Sequence, residues 1–242
     1  MRKTKIAVIS GFYPGGGVVT YIRNLYSHLN KNKNLDLELF LDSPDQDYDK
    51  LIDSYFPKNL KLKIFRVPHK RFINGFIFII KLLFSMNHRD YDLIEVHHTT
   101  YASILSFFIP KEKFIIITHG PDVLDERMKK PIYRNLAKRA YNKSLAIVTH
   151  THQEIDKIVS LGINREKITF FPCGVNIKEI DDYKKTNLRK ELGIKNKYVL
   201  CTTYGKNYGR KGTNFLLEAL PEIMKEDISV ILTGQMSKEM FP

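Results

Sequence analysis

The order of apolar and polar residues predicts a short strand, a glycine turn and a helix at the start of the chain. Residues 6–9 form an apolar run, rich in β-branched residues, which is typical of a buried parallel strand. Residues 18–29 then carry apolar side chains at helical spacing. The turn between them is Tyr13-Pro14-Gly15-Gly16-Gly17. Together these elements form the first half of a βαβ unit.

The same alternation continues for about 175 residues. A helix is predicted to begin at Pro131 with Ile132, Leu136 and Ala140 facing inward. Another helix opens with a capping box at 151–154 and stops near Gly162. Further strands are predicted at 35–41, 62–67, 92–97, 113–118, 145–149 and 168–171. This pattern predicts an α/β fold, an open parallel Rossmann-type sheet with helices on both faces.

A second domain is predicted after a polar linker at residues 177–183. Strands are expected at 198–203 and 228–233, with a helix between them, and nine residues follow the last strand. We therefore expect residues 1–177 to form one domain. Residues 178–242 are expected to form the linker and the first β-α-β of an incomplete second Rossmann-like domain.

The glycine turn is a candidate site for an anion. In parallel sheets, ligands bind at the carboxyl ends of strands, next to helix N-termini. Gly15, Gly16 and Gly17 have no Cβ, so backbone N–H groups could approach a phosphate there. The turn matches neither the dinucleotide fingerprint nor the P-loop, because position 13 is tyrosine and Gly17 is followed by two valines. The alternative is a tight turn that needs glycine only for a positive φ.

Histidines follow two of the predicted strands. His97 and His98 end one of them, and His119 and Gly120 follow the next. The ends of parallel strands face the ligand, so these residues are candidates for binding. A metal site is not predicted, because no Asp, Glu or His spacing completes a ligand set. The alternative is that these histidines only fill strand ends.

Composition places the chain among soluble globular proteins, with 43% hydrophobic and 27% charged residues. Two cysteines form neither a disulfide framework nor a zinc spacing, which fits a reducing, cytoplasmic compartment. No signal peptide opens the sequence. No apolar run approaches the ~20 residues of a membrane span.

The formal net charge of +13 favours anionic partners. Residues 54–89 contain eight Lys or Arg and no Asp or Glu. Within them, the apolar run 72–86 is flanked by basic residues, as in helices that lie in a membrane interface. The alternatives are a solvated basic face and a helix packed against the sheet. Nucleic acid is not predicted as a partner, since no recognised binding module accompanies the charge.

Five landmarks in order resemble the GT-B glycosyltransferases of family 4, often called group 1. They are the glycine turn at 13–17, the strand end at 118–120, the capping-box helix, the turn at 172–176 and the segment 205–212. The last resembles the family's Gly-Arg-x-x-x-x-Lys-Gly signature, with Lys206 at the arginine position and Lys211 at the lysine position.

The resemblance implies transfer of a hexose, with retention, from a nucleoside-diphosphate sugar to a glycan or lipid-linked acceptor. It implies that His119 is catalytic and contacts the donor sugar or acceptor. It also implies that the glycines of the turn, Lys206 and Lys211 bind the donor phosphates without a metal or other cofactor. Tyr13, His97, His98 and Gly120 are candidates for the acceptor or sugar side.

One departure from the family leaves a second hypothesis open. The family's second domain carries two glutamates eight positions apart, and the present sequence ends before that segment. The chain could instead be a binding or assembly module without turnover, which needs a partner for the donor domain. An incomplete second domain also predicts association with a partner chain or with a second copy.

Overall fold

The computed structural model describes residues 2–12, 16–43, 52, 55–68, 74–177, 187–203 and 212–233. Four of the candidate site residues lie outside these ranges, namely Tyr13, Gly15, Lys206 and Lys211. The remaining candidates, from Gly16 to Gly120, are all described.

Short strands and helices alternate along the described chain. The strands are β1 (Thr4–Gly11), β2 (Leu35–Ser43), β3 (Lys61–Arg66), β4 (Leu93–His97), β5 (Phe114–Ile117), β6 (Ala146–Thr149), β7 (Ile168–Phe170), β8 (Tyr198–Thr203) and β9 (Ile228–Thr233). The α-helices are α1 (Gly17–Leu29), α2 (Asn74–Ser85), α3 (Thr99–Leu105), α4 (Pro121–Leu124), α5 (Pro131–Lys143), α6 (His152–Ser160), α7 (Leu188–Glu191) and α8 (Thr213–Ile223).

The first seven strands form one parallel sheet in the order β3-β2-β1-β4-β5-β6-β7. From β1 the chain moves outward to β3, and it then returns to place β4 on the other side of β1. The order therefore reverses between β1 and β4. In open parallel sheets, ligands bind at such a switch point, beyond the carboxyl ends of the strands.

Helices cover both faces of this sheet, as the sequence predicts. On one face, Ile6 and Val8 of β1 pack with Ile22 and Tyr26 of α1. On the other, Ala7 and Ile9 belong to the core built with α2, α3, α5 and α6. Because successive strand residues point to opposite faces, an apolar run buried on both sides is what this arrangement requires.

The inward face of α5 differs from the prediction at one residue. Ala140 is fully buried and Leu136 is half-buried, but Ile132 is 78% exposed. The buried stripe runs instead through Ala137, Ala140 and Tyr141. At 3.6 residues per turn, Ile132 lies about 140° around the helix from Ala137. The prediction for Ile132 was therefore wrong.

Contacts within the chain divide it into two compact units, Met1–Ile177 and Lys178–Pro242. In the second unit, β8 and β9 pair in parallel, and α8 connects them. Several of its apolar side chains are exposed: Leu188, Leu192, Tyr198, Leu200, Phe215 and Met224. Association with a partner chain or a second copy stays a prediction.

Candidate functional site

Four histidines meet at the carboxyl edge of β4, β5 and β6. His97 ends β4, His98 follows it, His119 lies two residues after β5, and His150 directly follows β6. The ring centroid of His119 is 5.1 Å from those of His97 and His98 and 5.2 Å from that of His150. Because β4, β5 and β6 are neighbours, their ends bring together side chains that are far apart in the sequence.

Tyr21 of α1 packs against this histidine cluster. Its ring centroid lies 4.7 Å from that of His150 and 5.5 Å from that of His119. The tyrosine is 7% exposed. The N-terminal part of α1 therefore forms one wall of the same site.

The described glycines of the turn do not need a positive φ. Gly16 caps α1 with φ −83°, and Gly17 begins the helix. A Cβ placed on Gly17 would meet no described atom within 4 Å. The alternative interpretation, that glycine serves only to permit a positive φ, does not apply to Gly16. The first-turn N–H groups of α1 have no partner within the helix, as at any helix N-terminus.

A buried carboxylate joins the loop after β4 to the loop after β5. Asp122 is 5% exposed. One of its oxygens accepts from the backbone N–H of His119 at 2.8 Å. The other accepts from the N–H and the hydroxyl of Thr99 at 2.7 and 3.0 Å. These bonds hold His119 next to the start of α3.

A second buried carboxylate, that of Glu154 on α6, joins the loops after β5 and β6. One oxygen accepts from the hydroxyl of Thr118 at 2.7 Å and from the N–H of Gly120 at 2.6 Å. The other accepts from the N–H groups of His150 and Thr151 at 3.0 and 2.9 Å and from the Thr151 hydroxyl at 3.0 Å. Burial raises the pKa of Glu154, but the hydrogen bonds, led by that from Gly120, outweigh it and lower the pKa overall.

Burial keeps the central imidazoles neutral. It lowers the pKa of His97 and of His119 well below the ordinary histidine value, and the neighbouring histidines lower both further. A neutral imidazole has one nitrogen that donates and one that accepts. His97 and His119 therefore offer polar hydrogen-bonding groups rather than positive charge.

His150 presents an unoccupied acceptor to the site. Its Nδ1 lies 2.6 Å from the carbonyl oxygen of Phe171. Because a carbonyl only accepts, Nδ1 carries a hydrogen, and in the neutral imidazole Nε2 then carries the lone pair. Nε2 is buried and bonds no described residue. A buried acceptor without a protein partner is uncommon, and a water or a ligand hydroxyl could donate to it here.

His98 holds a strained backbone conformation at the N-cap of α3, with φ 76° and ψ 129°. It is the one non-glycine residue with positive φ in the described part of the chain. Such conformations cost roughly 1–3 kcal/mol and cluster at functional sites. Here the conformation turns the chain directly from β4 into α3.

The structure thus brings together Gly16, Gly17, His97, His98, His119 and Gly120 at one edge of the sheet. Sequence reasoning missed Tyr21, Asp122 and His150, and it treated Glu154 only as a helix cap. The rule for strand ends could have found His150, since it follows β6 as His119 follows β5. In the described part of the chain, no group of three or more His, Cys, Asp or Glu side chains is arranged to hold a metal ion.

The basic segment 54–89 is partly neutralised by its neighbour in the sheet. Lys61 and Lys63 of β3 form ion pairs with Asp36 and Glu38 of β2, at 2.7 and 2.9 Å. On α2, Phe76, Ile80 and Phe84 are 56%, 38% and 90% exposed. Among the described helices, none is long and apolar enough to cross a membrane.

The comparisons with known proteins agree with this architecture. The chain is 25% identical to an uncharacterised glycosyltransferase of Methanocaldococcus jannaschii, over 97% of its own length and 64% of that protein. It is 27% identical to the alpha-galactosylglucosyldiacylglycerol synthase of Streptococcus pneumoniae, over 54% of the chain and 39% of the synthase. The chain therefore spans less than two thirds of the length of these relatives.

The crystal structure of HepE from Anabaena in complex with UDP and glucose has the same fold. It matches 95% of this chain, and 60% of its own, with a TM-score of 0.69 and 17% identity. The family model for Glycosyltransferase Family 4 matches residues 15–179, which is more than half of the chain and includes every histidine of the cluster. The chain belongs to Glycosyltransferase Family 4.

Proposed function

We propose that the chain transfers a hexose from a nucleoside-diphosphate sugar to a glycan or lipid-linked acceptor, with retention of the anomeric configuration. The observation that carries this proposal is the histidine cluster at the carboxyl edge of β4, β5 and β6, beside the switch point between β1 and β4. There, neutral imidazoles lie beside the N-terminus of a thirteen-residue helix. Such an edge offers hydrogen bonds to sugar hydroxyls and N–H groups to phosphate.

His119 is the proposed catalytic residue. The residue is partly exposed, and one of its ring nitrogens, Nδ1, bonds no described residue. We propose that Nδ1 contacts a hydroxyl of the donor sugar or of the acceptor, and that Nε2 of His150 accepts from a second hydroxyl. His97 is fully buried with both ring nitrogens engaged, so we place it behind His119.

The donor phosphates are proposed to bind at the glycine turn, Gly15 to Gly17, with Lys206 and Lys211 stabilising the diphosphate as it leaves. Those lysines would supply the positive charge that a metal supplies elsewhere. UDP-hexoses are the first donors to test, because the similar HepE structure holds UDP and glucose.

The acceptor is proposed to be a lipid-linked or glycolipid sugar at an anionic membrane. The name of the Streptococcus pneumoniae relative is that of a diacylglycerol glycolipid synthase. The exposed apolar face of α2, formed by Phe76, Ile80 and Phe84, is flanked by Lys81, His88 and Arg89. Apolar side chains beside positive charges suit the interface of an acidic bilayer. With two free cysteines, Cys173 and Cys201, the proposed location is the cytoplasmic face of the membrane.

Transfer can be tested directly. The chain is incubated with UDP-, GDP- and ADP-hexoses and a glycolipid acceptor in vesicles, and release of the free nucleoside diphosphate is followed. We expect one donor to be consumed, NMR of the product to show the anomeric configuration of the donor, and His119→Ala to lower the rate about 100-fold. His28→Ala, an exposed position in the last turn of α1, is the control. Turnover of no donor, or full activity of His119→Ala, would overturn the proposal.

A further inference from the structure

A line of hydrogen bonds runs from the interior of the first unit to His119. The hydroxyl of Tyr26 lies 2.5 Å from a carboxylate oxygen of Glu95 and 2.8 Å from Nε2 of His97. Nδ1 of His97 lies 2.8 Å from Nε2 of His119. Tyr26 and His97 are fully buried. Four side chains from α1, β4 and the loop after β5 are therefore connected, and solvent does not reach the two in the middle.

The donors and acceptors along this line depend on one another. Tyr26 has one hydroxyl hydrogen, and each neutral imidazole has one N–H. When Tyr26 donates to ionised Glu95, Nε2–H of His97 donates to the Tyr26 oxygen. Nδ1 of His97 then accepts from Nε2–H of His119, which leaves a lone pair on Nδ1 of His119. When Glu95 instead donates or is absent, every bond reverses and Nδ1 of His119 carries a hydrogen.

We propose that Glu95, Tyr26 and His97 form a hydrogen-bond relay that fixes the tautomer of His119, with the lone pair on Nδ1 when Glu95 is ionised. Hydrogen bonds to a carboxylate are the strong ones, and the 2.5 Å separation between Tyr26 and Glu95 fits such a bond. All three are positioning residues. The inference rests on the proposed function only for its consequence, that Nδ1 accepts a hydrogen bond from a substrate hydroxyl.

The relay ends at the carboxyl group of Glu95. The titratable groups around it are, from α1, Tyr21 and Tyr26; from β4 and its end, Glu95, His97 and His98; from the loops after β5 and β6, His119 and His150; and beyond these Asp122, Arg127, Glu154 and Cys173. Burial raises the pKa of Glu95, with Tyr26 opposing, and it raises the pKa of both tyrosines. Glu95 is therefore the group of this set whose ionisation can reverse the bonds.

NMR of protein labelled with 15N-histidine tests the relay without any substrate, because protonated and unprotonated ring nitrogens resonate in separate ranges. The signals of His119 are identified by their loss in His119→Ala. At neutral pH we expect Nε2–H and bare Nδ1 in the natural protein. Glu95→Leu removes the acceptor, so Tyr26 turns to His97 and Nδ1 of His119 becomes protonated. Tyr26→Phe removes the hydroxyl that connects Glu95 to His97, so we expect a mixture of both His119 tautomers.

Tyr91→Phe is the matched control. Its hydroxyl also lies 2.5 Å from a carboxylate oxygen, that of Glu38, but at the start of β4 rather than at its carboxyl end. We expect this variant to keep the tautomer of the natural protein. An unchanged His119 tautomer in folded Glu95→Leu and Tyr26→Phe proteins would overturn the relay. If one of the two variants does not fold, as seen by circular dichroism, the other decides.

Activity provides a second, separable readout. Tyr26→Phe should lower kcat/KM about two- to tenfold, because only part of the molecules then keep the lone pair on Nδ1 of His119, while Tyr91→Phe should not. A tautomer that responds to Glu95 in a protein that consumes no sugar nucleotide would keep the relay and reject the proposed function. An active enzyme whose His119 tautomer does not change in the Glu95 and Tyr26 variants would reject the relay and keep the proposed function.

Discussion

A carboxylate oxygen of Glu154 accepts a hydrogen bond from the backbone N–H of Gly120, 34 residues earlier in the chain, at 2.6 Å. The Glu154 side chain is fully buried and holds the loops after β5 and β6 at the same time. The histidines of the site lie on these loops. Glu154, which lies outside the cluster, therefore contributes to the geometry of both His119 and His150.

Glu154→Gln should destabilise the fold by about 2–4 kcal/mol. Glutamine has one acceptor oxygen, so its NH₂ group would face N–H or O–H donors that now bond the second carboxylate oxygen. Urea unfolding gives the free-energy difference. Asp156→Asn, an exposed site on the same helix, is the control and should change stability by less than about 0.5 kcal/mol. Equal stability of the two variants would contradict the assigned role of Glu154.

The contribution of Glu154 should also depend on pH. Its pKa is lowered in the folded state, so its stabilisation is complete above the unfolded value of about 4.3 and is lost as pH falls through the folded value. We therefore expect the difference in unfolding free energy between the natural protein and Glu154→Gln to be constant from pH 7 to 5. It should shrink below about pH 4. A difference that grows on acidification would show the opposite sign of linkage.

The positive φ of His98 should make glycine better than alanine at that position. Both substitutions remove the imidazole, so they differ chiefly in backbone freedom. Since φ is 76°, His98→Gly should be more stable than His98→Ala by about 1 kcal/mol. Thermal unfolding of the two variants measures this. An alanine variant that is as stable as the glycine variant would mean that the backbone conformation carries no strain.

The apolar face of α2 should bind anionic membranes. Changing Phe76, Ile80 and Phe84 together to serine should abolish flotation of the protein with vesicles that contain acidic lipid, because about 1.5–3 kcal/mol is associated with burial of each large apolar side chain. Ile132→Ser removes a 78% exposed apolar side chain on α5 and should have no effect. No flotation of the natural protein would contradict membrane binding, and equal flotation with neutral vesicles would contradict the role of acidic lipid.

The strands and helices of the first unit follow closely from the sequence, because their apolar runs are buried on both faces of the sheet. The prediction for Ile132 failed because helical spacing alone does not determine which face of α5 is buried. That face depends on the elements against which the helix packs. The candidate site was predicted only in part. His97, His98 and His119 could be placed by the rule for strand ends. Bonds such as Tyr26 to Glu95, between residues 69 apart, depend on which strands are neighbours.

Titration of the 15N-histidine-labelled chain with UDP-glucose, GDP-mannose and ADP-glucose shows whether the histidine cluster binds a sugar nucleotide. We expect one of these donors to shift the ring signals of His119 and His150, with saturation in the micromolar range. The signals of His28 and His88, which lie away from the cluster, should stay unchanged. No shift of His119 or His150 with any donor up to millimolar concentration, or shifts confined to His28 and His88, would contradict this binding.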